Sequence, residues 1–213
     1  MAGIPIFTRN ITGNAIASYD WLDIISGCGY KRFYGCACSI PTAAYFLTSK
    51  LIDAAPLLKT ENTGGAGYTT LIDLDFDIII KSPTIVSGVA YVNLTTKGTT
   101  AGDTFHKVVV NVCHVDAGTS ETIIGTVTGP EHHTTGVPEY ARECFKIALS
   151  NKKFAIGETL RITIQVQGHH TAGSGTVTLY FDPPTRLTFT DTPTSTTIGT
   201  DLIIDVPFKI DIS

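Results

Sequence analysis

The sequence predicts an all-β fold, an antiparallel two-sheet sandwich of jelly-roll type, and three observations predict it. Leu160, Ile162, Ile164 and Val166 alternate with Arg161, Thr163, Gln165 and Gln167, the period-2 pattern of a strand with one face buried and one wet. Ile72, Leu74, Phe76 and Ile78 alternate in the same way with Asp73, Asp75 and Asp77. Charged residues are only 16% of the chain, against roughly a quarter in ordinary soluble domains. That low charge, with abundant Thr, Gly and β-branched residues, suits sheets and a surface hidden in an assembly.

Residues 1–19 carry apolar side chains without a sustained period and read as an extended arm. Ile4, Ile6 and Phe7 in the arm, with the single tryptophan Trp21 just after it, are the expected interface anchors. Residues 20–213 then form the sandwich domain, long enough to bury a core. Tyr30 to Tyr34, Cys36 to Ser39 and Tyr45 to Leu51 read as strands, and Leu57 to Gly67 as a segment holding a glycine-rich loop. The Asp-rich strand spans Thr69 to Lys81, and Ser82-Pro83 turns the chain into Thr84 to Leu94.

Thr95 to Asp103 is expected to be a loop, and Phe105 to Val115 and Glu121 to Thr128 a hairpin about Asp116-Ala117-Gly118. Tyr140 to Leu149 fits neither period cleanly; it is read as a strand, with a short helix as the alternative. Glu158 to Arg186 reads as a second hairpin, stopped by Asp182-Pro183-Pro184 because proline has no amide hydrogen for a ladder. Leu202 to Ile212 closes the chain, with Pro207 placing it at an edge or a bulge.

A net charge of −4 with no run of Lys or Arg argues against nucleic-acid binding. No stretch of about 18 apolar residues marks a membrane helix, and MAGIPIFTRN lacks the pattern of a signal peptide, so the chain is expected to stay in the cytoplasm where it is made. The five cysteines, an odd number, then read as free thiols packed as small hydrophobes. Asn10-Ile11-Thr12 and Asn93-Leu94-Thr95 match the glycosylation pattern by chance.

His132-His133 and His169-His170 are two histidine pairs placed in loops. Exposed polar loop tips are the expected reading, and a zinc or nickel site, with Glu131 nearby, is the alternative, so no metal or other cofactor is assigned. Asp73, Asp75 and Asp77 lack the tight turn of a calcium loop and read as a solvated face or as protection of an edge. Cys36 and Cys38 with Cys28 lack the second half of a zinc motif. Cys113 and His114, as strand neighbours, face opposite sides and suit no nucleophilic pair. GxSxG, Walker A, GxGxxG and HExxH are all absent, and the expectation is therefore of a protein without enzymatic activity.

GYKRFYG after Tyr19-Asp20, the strands IDLDFDIII and SPTIVSGVAYVN, FAIGETLRITIQV leading to GTVTLYFDPPTR, and the ending VPFKIDIS together give a familiar layout. From Tyr19 onward the chain resembles a diffuse group of β-sandwich virion proteins of tailed bacteriophages. The resemblance implies a particle component in the virion: a capsid decoration (cement) protein, a homotrimer seated on the major capsid protein, or else a tail or neck part. It transfers no functional residue. The rival expectation is carbohydrate or receptor binding through Tyr30, Phe33, Tyr34 and Tyr68.

Overall fold

The computed structural model describes residues 28–38, 44–49, 57–100, 103–135, 138–171, 173, 175–182 and 202–210. All twelve described elements are strands. In chain order they are β1 (Cys28–Cys38), β2 (Ala44–Thr48), β3 (Leu57–Asn62), β4 (Thr69–Ile79), β5 (Thr84–Thr100) and β6 (Asp103–Val115). β7 (Glu121–Thr128), β8 (His132–Thr135), β9 (Glu139–Phe154), β10 (Thr159–His170), β11 (Gly175–Asp182) and β12 (Ile203–Ile210) follow. The arm, with Ile4, Ile6 and Phe7, and also Trp21 lie outside the described residues.

The protein is all-β, and its strands form one open hydrogen-bonded path, β3-β11-β5-β12-β1-β2-β4-β10-β6-β7, with β8 on β6 and β9 on β5. Among the described residues every pairing is antiparallel except a single parallel bridge, Phe46 to Asp77, which joins β2 to β4. The strands bury one core that includes Phe76, Phe154, Ile147, Leu160, Ile162 and Ile164. The alternation read from β4 and β10 is the alternation buried: Ile72, Leu74 and Phe76 on one strand, and Leu160, Ile162, Ile164 and Val166 on the other.

β4 is not an edge, because β2 and β10 flank it. Its carboxylates meet the residues opposite them in register on β10: Gln165 donates to Asp73, Thr163 to Asp75, and Arg161 to both oxygens of Asp77. Arg161 also reaches Glu121 on β7 at 2.9 Å. The acidic row is therefore a solvated face, with Asp73 and Asp75 exposed, whose carboxylates are hydrogen-bonded across to β10; it does not protect an edge.

β6 and β7 form the expected hairpin. Asp116 closes it, its carboxylate accepting from the amides of Gly118 and Ser120. Tyr140 to Leu149 is a strand, part of the longer β9. The hairpin expected of Glu158 to Arg186 does not form: β10 pairs with β4 and β6, and β11 with β3 and β5. The link between them is longer than the two-residue turn that forces adjacent strands together. β5 runs through the segment expected to be a loop, because Thr95 and Thr96 are buried and pair with β9 and β11. β12 lies inside the sheet between β1 and β5, with Pro207 at a break in register. Opposite it, β5 has its own register break at Gly88, whose φ of +114° suits glycine.

β7 and β9 are not hydrogen-bonded strands, yet they approach closely at Gly125. A Cβ there would stand 2.6 Å from Leu149 Cδ2 and 2.9 Å from the Ala148 carbonyl oxygen. Gly125→Val is expected to force the two strands apart and cost about 1–3 kcal/mol, read as a lower urea midpoint; an unchanged midpoint would show that the contact yields freely.

Candidate functional site at the histidine end of the sheet

Five of the six histidines gather at one end of the sheet, where β6 begins and β10 ends. The register puts them there. Phe105 of β6 pairs with His133 of β8 on one side and His169 of β10 on the other, and His106 pairs with His132. His132 and His133 lie on strand β8, and His169 and His170 end β10, so the expectation of loop tips is corrected. Backbone pairing of β8 with β6 overrides the polar composition of GPEHHTTGVP.

Alternation splits the end into two faces. On the outer face the rings of His133 and Phe105 stack at 4.1 Å and 3°, and Phe105 and His169 at 4.7 Å and 7°. Tyr68 meets His169 edge-on at 4.5 Å, and Lys107 Nζ lies 4.3 Å over the Tyr68 ring. The Tyr68 hydroxyl donates to Glu131, and burial together with that carboxylate raises it above the usual tyrosine range. His133 Nε2 stands 3.5 Å from Asp103 Oδ1; His170, which alternates with His169 and pairs with the buried Thr104, turns to the other face, its Nδ1 3.0 Å from Thr63 Oγ1. Tyr68 is thus the one residue of the expected sugar-binding set in this stripe. Phe33 and Tyr34 are buried, and Tyr30 lies near Tyr91, ring centroids 6.1 Å apart.

The inner face holds a buried polar cluster. His106 is almost wholly buried, with Nε2 3.0 Å from Thr96 Oγ1, and its ring centroid is 5.2 Å from that of His132. Burial, then the neighbouring His132, lowers its pKa to about 4. His132 Nε2 stands 3.2 Å from Glu143 Oε1, at ion-pair distance but out of hydrogen-bond alignment. Burial raises the Glu143 carboxyl above the usual range, opposed by His132. Among the described residues eight buried side-chain polar atoms lack a hydrogen-bond partner, and six belong to Thr104, His106, His132, Thr134 and Glu143. Sequence reasoning missed Glu143 and His106 because neither is near the histidine pairs in the chain.

No three His, Cys, Asp or Glu side chains among the described residues are placed to share a metal ion. Cys36, Cys113 and Cys144 are thiols rather than disulfides. Cys113 is buried, its thiol pushed up to about 12, so it is a poor nucleophile. His114 points instead to Glu158, at 2.8 Å.

No protein-family model matches the chain, and no curated protein does. Solved structures share its fold. A CocE/NonD family hydrolase from Staphylococcus aureus superposes with a TM-score of 0.56 at 13% identity, over 86% of this chain and 37% of the hydrolase. An aminopeptidase from a marine sediment archaeon, Thaumarchaeota archaeon, gives 0.51 at 9% identity, over 83% and 36%. These hydrolases correct the expectation of a protein without enzymatic activity: absence of short motifs set it, and this fold occurs in enzymes. The likeness is one of fold, and the chain spans just over a third of each hydrolase's length. A structure of infectious bursal disease virus, Gx strain, matches over 86% of this chain and 37% of its own at 10% identity, with a TM-score of 0.35 that is too low to carry an argument.

Proposed function

We propose that this chain is a structural protein of a tailed-phage particle, of the decoration type, a jelly-roll-like sandwich seated on the major capsid protein as a trimer. The observation that supports the reading lies at the end of the sheet opposite the histidines. Ile79, Ile123 and Ile156 are 60%, 56% and 67% exposed there, near the β9–β10 and β6–β7 turns. The nearby carboxylates of Asp75, Asp77 and Glu121 share the one Arg161 guanidinium. Docking over the exposed isoleucines would bury apolar surface, and the bound partner would favour the assembled shell by mass action.

Changing Ile79, Ile123 and Ile156 together to Asp is expected to weaken binding to empty shells at least about a hundredfold, since each buried isoleucine contributes about 1.5–3 kcal/mol. Cosedimentation measures it, with circular dichroism to confirm the fold. Wild-type occupancy by the folded triple variant would end this reading.

The outer stripe of Tyr68, His169, Phe105 and His133 favours a second reading, a tail or neck component that recognises a carbohydrate receptor. Binding on a glycan array, abolished by Tyr68→Ala and His133→Ala together, would select it over decoration.

A further inference from the structure

We propose that the outward face of β5, β9 and β11 binds an acidic polysaccharide, with Tyr140 and Tyr180 against its sugar rings and Lys97 and Arg142 meeting its carboxylates. Alternation sets this face. Ala90, Val92, Leu94 and Thr96 of β5 are buried inward, so Tyr91, Asn93, Thr95 and Lys97 lie on the outward side. On β9 the inward residues include Ala141, Phe145 and Ile147, while Tyr140, Arg142 and Lys146 lie outward, the last two exposed. Register brings them together: Lys97 pairs with Tyr140 on one side and Thr178 on the other, and Thr95 with Arg142 and Tyr180. Lys97 Nζ lies 5.0 Å over the Tyr140 ring, and the Tyr140 and Tyr180 ring centroids are 6.2 Å apart. Thr95 is 3% exposed although it lies outward, so the larger side chains close over it. This face shares no residue with the histidine stripe or the exposed isoleucines and goes beyond both readings above.

Charge decides the class of ligand. The chain carries −4 overall, yet no outward position of β5 from Tyr91 to Lys97, or of β9 from Tyr140 to Lys146, is a carboxylate. Lys97, Arg142 and Lys146 are cations there, and Glu139 and Glu143 alternate to the inner side. Asp205, opposite Tyr91, is held by Arg32 Nε at 2.7 Å and Nη2 at 2.8 Å. An anion laid on this face therefore meets a net positive field.

Rings and hydroxyls decide that the anion is a sugar chain. A tyrosine offers an apolar ring face and a polar tip, which suit the C–H face and the hydroxyls of a sugar. Thr60 pairs its hydroxyl with Thr178, and Thr99 with Thr176, so the surface beside the tyrosines is polar and uncharged. A second tyrosine pair, Tyr91 with Tyr30, has ring centroids 6.1 Å apart. It lies about 13 Å along β5 from Thr95, at ~3.3 Å per residue, so the face suits an extended chain rather than one ring. Nucleic acid, with a charge on every phosphate, calls for a run of cations that this face lacks.

The test is fluorescence anisotropy of labelled alginate, hyaluronate and polygalacturonate oligosaccharides with the full chain, at low and at physiological salt. Dextran is the neutral control and oligothymidylate the nucleic-acid one. At least one acidic oligosaccharide should bind, and dextran should bind less tightly. Lys97→Gln with Arg142→Gln should weaken binding about tenfold at low salt and less at physiological salt. Tyr140→Ala with Tyr180→Ala should weaken it about tenfold at both. Lys59→Gln, which removes a cation beside Glu61 on β3, should leave the affinity as it is. In the wild-type protein the bound sugar should slow acetylation of Lys97 and Lys146, a reading that needs no variant. The proposal is overturned if no acidic oligosaccharide binds, if dextran binds equally well, or if oligothymidylate binds more tightly. Acetylation of Lys97 and Lys146 at the unbound rate would also overturn it, as would wild-type affinity in both double variants.

Discussion

Phe76→Ala is expected to cost about 3–5 kcal/mol, the range for emptying an aromatic site in a packed core. Phe76 is wholly buried on β4. Its ring meets Tyr45 of β2 edge-on at 5.5 Å and Phe181 of β11 at 5.6 Å, and Tyr45 and Phe181 are themselves 5.6 Å apart. Three strands that are far apart along the chain are thus tied by one ring cluster. β2 and β4 share only one backbone bridge, so side-chain packing must hold that corner of the path. Urea unfolding would read the loss as a lower midpoint with an unchanged slope. Phe76→Leu should recover most of the stability, because it refills most of the volume. A loss below about 1 kcal/mol for the alanine variant would mean that the cluster collapses around the gap.

Acid should cost the fold up to about 3 kcal/mol through His106 alone, the free energy of moving an imidazole from its ordinary pKa to about 4. In the unfolded chain this ring takes a proton near its ordinary value, and in the folded protein only near 4. Between the two, the unfolded chain binds more protons, so stability falls as pH drops through that window. Below the folded value this contribution stops changing. Urea unfolding at pH 7.5, 5.5 and 4 would follow it, and His106→Gln should lose less stability over the same range. An equal loss in the variant would assign the acid sensitivity to other groups.

Hydrolases that share the fold change what the empty motif search means. Absence of GxSxG or HExxH had stood for absence of chemistry, yet short motifs describe single loops. A fold made of strands that pair across the chain can bring functional groups together from distant segments, as the inner cluster here does with β6, β8 and β9.

Strand identity was legible wherever one face is buried and one is wet. β4 and β10 alternate cleanly because each packs a single face on the core. β5 was read short because buried threonines look like loop residues when burial is unknown, and only the ladders to β9 and β11 show them as strand. The histidine pairs were legible as residues but not as a site. His132 and His169 are far apart in sequence, and what places them together is that β8 and β10 both pair with the first turns of β6, on opposite sides.

Local period, then, determined by itself that this chain is all-β and which residues of β4 and β10 face the core, while Pro207 in the closing strand left an edge or a bulge open. Those properties belong to single strands, since side-chain alternation needs no partner. The tertiary structure alone decided partners: that β10 pairs with β4 and β6 while β11 pairs with β3 and β5, that Arg161 meets Asp75 and Asp77, and that Glu143 meets His132. Pairing across many residues is set by which buried faces fit together, and a one-residue change of register would turn every one of those side chains to the other face.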